Sequence, residues 1–182
     1  MKKSFVRVGT LIMIILLISF LAVQISGAAK GEHTWGKISF QTPVDFSDPQ
    51  KLGLDAVALM HPPDCGLGKG QMEISLVAVP KDMAESLGNK DAEILSYVKT
   101  TFLGSAVPAA KTVERSFLGK KVAGEAQTTS IPKKSELELY LVPLSDGDKV
   151  TVAFKWDAAF PKEKADSVIA KVAQSFKEVK GK

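Results

Sequence analysis

The chain has a single cysteine, Cys65, in 182 residues, so no disulfide can close within it and packing alone must hold its fold. Two histidines, His33 and His61, are too few to build a convincing serine, histidine and carboxylate relay. Basic residues are not clustered among aromatics; Lys120-Lys121 and Lys133-Lys134 are isolated pairs, which excludes an obvious nucleic-acid footprint. Dinucleotide and phosphate-loop fingerprints are missing too. The run Gly66-Leu67-Gly68-Lys69-Gly70 lacks both the spacing and the Ser or Thr after the lysine that a phosphate loop needs. No internal repeat or low-complexity tract occurs.

What is present begins with an apolar run. Lys2, Lys3 and Arg7 precede the stretch Leu11 to Val23, which ends among Ser26, Gly27, Ala28 and Ala29. That is the order of a secretory signal peptide, with cleavage after Ala28 or Ala29; the alternative is an uncleaved N-terminal membrane anchor. The expected organisation is therefore a signal peptide over 1–29 and one domain over 30–182, located in the periplasm or secreted. The first 29 residues hold three of the 24 Lys and Arg and none of the 20 Asp and Glu, leaving 21 bases against 20 acids, or +1. The basic pI of the whole chain thus belongs mostly to its first segment and says nothing of partners.

Periodicity lays out the rest. Trp35 to Gln41 alternates as a half-buried strand, Leu54 to Met60 is a continuous apolar strand, and Met72 to Ala78 alternates again. The intervening His61-Pro62-Pro63-Asp64-Cys65-Gly66-Leu67-Gly68-Lys69-Gly70 reads as a hairpin loop, because prolines stop strands and glycines turn chains. Pro80 to Asn89 is turn-rich. Ala92, Leu95, Val98 and Phe102 then recur at helical spacing, with Asn89 or Asp91 to cap the start and Gly104 to close the end. Four alternating segments follow, 113–117, 122–131, 137–141 and 150–156, joined by short turns as an antiparallel meander. Ala165, Val168, Ile169, Val172 and Phe176 mark a last helix beginning at Pro161. The fold class is α+β: an antiparallel sheet flanked by helices, in the order β-β-β-α-β-β-β-β-α.

That order, with Ile38-Ser39-Phe40-Gln41-Thr42-Pro43, Phe117-Leu118-Gly119-Lys120-Lys121 and Val172-Ala173-Gln174-Ser175-Phe176-Lys177, resembles the PsbP/Mog-like superfamily and its DcrB-related exported members. The resemblance implies an α/β/α sandwich used as a binding or accessory module, not as an enzyme. It carries over no site residue. It gives no support for a photosynthetic role, and export would exclude the Ran binding found in the family.

Chemistry has few candidates. Cys65 and His61 could be a nucleophile and base, or with Asp64 three metal ligands, but no third catalytic group or established zinc spacing accompanies them. The free thiol could instead link two chains as a dimer. Glu136 and Glu138 fall on one face of a strand, about 7 Å apart by the strand rise, near the separation an inverting glycosidase uses. Glu125 invites the same comparison. A row of Glu136, Glu138 and Tyr140 opposite a leucine row is also the ordinary solvent face of an amphipathic strand. Trp35 and Trp156 lie in phase with apolar faces and are expected in the core. The resulting expectation is a non-enzymatic exported accessory or binding protein of the cell envelope. It has no cofactor, no catalytic or metal residues and no nucleic-acid partner, and it contacts a protein or an envelope component. The competing expectation is an exported hydrolase, or a small-molecule or metal binder, using Glu136, Glu138, Tyr140 or the His61 and Cys65 loop.

Overall fold

The computed structural model describes residues 31–43, 46–53, 55–61, 67, 69–101, 111–129 and 134–179. The expected export segment, Cys65 and the Gly104 helix stop lie outside these residues. The elements are β1 (Glu32–Trp35), β2 (Ile38–Gln41), β3 (Gln50–Lys51), β4 (Ala56–His61), β5 (Met72–Val79), α1 (Lys81–Ser86), α2 (Asp91–Thr101), β6 (Lys111–Phe117), β7 (Lys120–Thr129), β8 (Ser135–Pro143), β9 (Lys149–Asp157), α3 (Lys162–Ser175) and β10 (Lys177–Glu178).

The expected hairpin and meander both form. β4 pairs with β5 from Ala56 opposite Val77 to His61 opposite Met72, and β6 to β9 pair in succession, all antiparallel. Pairing of β5 with β9, Ile74 opposite Phe154, fuses the two halves into a seven-stranded sheet ordered β3-β4-β5-β9-β8-β7-β6. The turn between β6 and β7 holds two residues, Leu118 at φ +52° and Gly119 at φ +72°, the left-handed pair of a type I′ hairpin.

Both faces of this sheet are covered. On one, Leu137, Leu139 and Leu141 of β8 pack with Val77, Val79 and Ala153 against Ala84 of α1 and Ile94, Leu95 and Val98 of α2. On the other, Ile74, Leu76, Tyr140, Val152 and Phe154 meet Ala165, Val168, Ile169 and Val172 of α3, with Ile38 and Phe40 of β2. The helices on either side make the sandwich expected from the order of elements. Burying each of Val168, Ile169 and Val172 is worth roughly 1.5–3 kcal/mol, so an aspartate at Ile169 would detach α3.

Three local expectations change. The first strand is two, because the chain turns at Gly36-Lys37, and Trp35 pairs with Ile38. These strands join β10 in a separate three-stranded sheet, in which His33 is buried, its Nε2 2.8 Å from Thr42 Oγ1. The turn-rich segment after Pro80 forms the short helix α1. Its first amide, Lys81 N–H, is capped from afar by Asp148 Oδ1 at 3.0 Å, a contact invisible to local patterning. Asn89 adopts φ +56° after that helix instead of capping α2, whose Ile94 N–H bonds the Lys90 carbonyl.

Candidate functional site

The row Glu136, Glu138 and Tyr140 is a solvent face only at its start. Glu136 is half-buried, whereas Tyr140 is fully buried and Glu138 is 8% exposed. A charged group can stay in such a place only when its lone pairs are satisfied. Tyr140 donates its O–H to Glu138 Oε2 at 2.5 Å. Arg115 Nη2, from β6, lies 3.4 Å from the same oxygen and 3.1 Å from Asp166 Oδ1 of α3. Burial first, then the Glu138 hydrogen bond and charge, push the Tyr140 phenol far above the ordinary tyrosine range. Strand β8 supplies two members, the edge strand one and the helix one, so the cluster forms only when the layers are assembled.

Beyond this cluster the sheet opens into a groove of about 570 Å³. Glu136 and Glu138 lie along its floor with Val113, Ala126 and Trp156, and the segment 157–162 forms a wall. Glu136 accepts the Thr128 hydroxyl at 3.0 and 3.1 Å. Asp157 accepts the backbone N–H groups of Gln71, Ala159 and Phe160 at 3.0 to 3.1 Å. Lys111, Lys134 and Lys162 stand exposed at the groove.

The other sequence candidates are elsewhere. His61 ends β4, fully buried, its ring 5.6 Å from those of Phe46 and Phe160, and Leu67 N–H approaches its Nε2 at 3.4 Å. Phe160 also lines the groove, but His61 does not. Cys65 lies outside the described residues. Glu125 is on the opposite face, paired with Lys99 Nζ at 2.6 Å, so the three glutamates do not converge. No group of three His, Cys, Asp or Glu among the described residues is placed to hold a metal. Arg115, Asp166 and the three lysines were absent from the sequence candidates. Arg115 carried one signal, a cation in phase with the apolar Val113 and Phe117.

No protein-family model matches the chain, and no curated protein matches it in sequence. Among solved structures it is similar to the Ran-binding protein Mog1p of Saccharomyces cerevisiae, with TM-score 0.51 and 12% identity, covering 83% of this chain and 97% of that one. A mutant of Mog1 gives TM-score 0.48 at 13% identity, covering 84% and 97%. The class so defined is a Mog1-like α/β sandwich in fold; no family model confirms the PsbP and DcrB side of the expected superfamily.

The same finding corrects the expected role. The solved neighbour Mog1p is a Ran-binding protein, so the signal, secreted, periplasmic and membrane-anchor readings and the envelope function built on them do not stand. The exclusion of Ran binding, which rested on export, falls with them. No helix among the described residues is long and apolar enough to cross a membrane.

Proposed function

We propose that residues 30–182 form one non-enzymatic module that binds a protein partner. The observation that carries this reading is the internal commitment of the sheet-face acids. Glu138 takes the Tyr140 proton donor and the Arg115 cation, and Glu136 takes Thr128. A general acid or base must exchange protons with a substrate, and a nucleophile must approach one freely. These groups instead hold strand, edge and helix together. The Mog1-like fold supports the same reading, since the neighbour it resembles binds a protein, although fold by itself does not fix function.

The test has two arms. The purified full chain is titrated with Ran in its GDP and GTP forms by calorimetry, and separately mixed with host extract and resolved by gel filtration with light scattering. A discrete stoichiometric complex with a protein in either arm supports the module. Turnover of a panel of chromogenic glycosides and esters that disappears in Glu136→Gln or Glu138→Gln would overturn it.

A further inference from the structure

The last strand of the large sheet, β6, has seven residues, and its outer side meets no other strand among those described. Its backbone orientation follows from the hairpin. The two-residue type I′ turn makes Phe117 and Lys120 the closing hydrogen-bonded pair, and antiparallel ladders alternate from there. Lys111, Val113, Arg115 and Phe117 therefore direct their N–H and C=O groups to β7. Thr112, Glu114 and Ser116 direct theirs outward. Among the described residues their only backbone contact on that side is Arg115 Nη1 to the Glu114 carbonyl, at a long 3.5 Å.

The groove begins at this edge, since Lys111 and Val113 of β6 help to line it. Its charges sort by whether they are already satisfied. Glu136, Glu138 and Asp157 are engaged in the hydrogen bonds described above. Lys111, Lys134 and Lys162 are exposed and make no ion pair among the described residues. Among the described residues the groove thus offers a ligand a cationic rim beside a row of backbone donors and acceptors that no strand pairs.

Resting on the protein-binding reading, we infer that β6 and this lysine rim take an extended acidic segment of the partner, added as a further strand to the sheet. Backbone pairing to Thr112, Glu114 and Ser116 supplies the ladder, and alternate carboxylates of the segment face the groove, beside Lys111 and within the field of the other two lysines. The charges on β6 itself discourage indiscriminate edge pairing, which leaves complementary charge to select the occupant. A single-stranded nucleic acid fits less well, because Trp156 and Phe160, the aromatics at the groove, are 7% and 3% exposed and offer no face for bases to stack on.

The probes are fluorescent peptides of about twelve residues, alternating Glu and Val or alternating Lys and Val, long enough to pair with an edge of this length. The full chain should bind the acidic peptide, with affinity falling as salt rises, and the Thr112, Glu114 and Ser116 amides should gain protection from hydrogen exchange. The triple variant Lys111→Glu, Lys134→Glu, Lys162→Glu should bind at least about tenfold more weakly while keeping its circular dichroism and unfolding midpoint. N-methylation of alternate peptide amides tests the ladder without altering the protein, and methylation in one of the two registers should abolish binding. Equal binding of acidic and basic peptides, indifference to both methylation registers, or equal competition by an oligouridylate overturns the inference. A captured partner that still binds the triple variant and leaves the β6 amides unprotected overturns it too, and leaves the protein-binding reading standing.

Discussion

Tyr140 and Glu138, two residues apart on β8, share a hydrogen bond of 2.5 Å beneath α3, so the strand's polar positions are bonded to each other inside the sandwich. Removing one side of such a bond strands the other. Tyr140→Phe should destabilise the protein by about 1.5–3 kcal/mol, the usual worth of a hydrogen bond to a charged group. Arg115→Met should cost a comparable amount by leaving Glu138 with one partner. The combined change Arg115→Met, Glu138→Leu, Tyr140→Phe should cost less than the sum of the single changes, because it leaves no buried charge behind. Urea unfolding of the wild type, the three single variants and the combined variant measures this, and strict additivity would show that the groups do not form one network.

The same bond sets an alkaline limit. The folded state holds the Tyr140 phenol neutral well above the ordinary tyrosine range, by burial and then by Glu138, whereas the unfolded chain ionises it near pH 10. Its contribution is therefore complete below about pH 10 and lost as pH rises beyond that value. The unfolding midpoint of the wild type should drop more steeply between about pH 10 and 11 than that of Tyr140→Phe. Parallel profiles would remove Tyr140 from the account.

Gly124 faces Tyr140 across β7 and β8. A Cβ placed there would lie 2.5 Å from the Tyr140 ring carbon Cδ1 and 2.6 Å from the Leu139 carbonyl oxygen. One obstacle is an aromatic ring locked in the core and the other is backbone, so neither yields cheaply. Gly124→Ala should destabilise by about 1–3 kcal/mol, in the range of an overpacked core. In a strand, alanine otherwise improves on glycine, so a stabilised Gly124→Ala protein would show that the ring has room to move.

Periodicity made the meander, α2 and α3 legible because each carries its apolar pattern within a few turns of chain. It did not reveal the occupancy of β8's second face. Glu136, Glu138 and Tyr140 alternate with leucines just as a solvated strand does, and only the arrival of α3 and β6 turns that row inward. The site is correspondingly half legible. Its acids sit on one strand at regular spacing, whereas Arg115 and Asp166 reach them from separate elements, 23 and 28 residues away in the chain from Glu138. Hydropathy also says nothing of which charges are already bonded. That distinction separates Glu138, a structural anion, from Lys134, an exposed cation four residues earlier.

His33 supplies an acid-side counterpart to Tyr140. It sits in β1 among Phe40 and Thr42, where burial lowers its pKa and the Asp48 charge only partly opposes the change. The folded state therefore binds a proton less readily than the unfolded chain, whose histidine titrates near pH 6.5. Stability from this group is full above that value and declines as pH falls from it toward the lower folded pKa, after which this group adds no further loss. His33→Gln keeps a group able to bond Thr42 and cannot take up the proton. Between about pH 8 and 5 the wild type's urea midpoint should fall more than that of His33→Gln, the two curves converging toward the acid end. Nuclear magnetic resonance of the two histidines, assigned through this variant, should place the His33 titration below 6.5, and a titration above 6.5 would reverse the sign of the predicted slope.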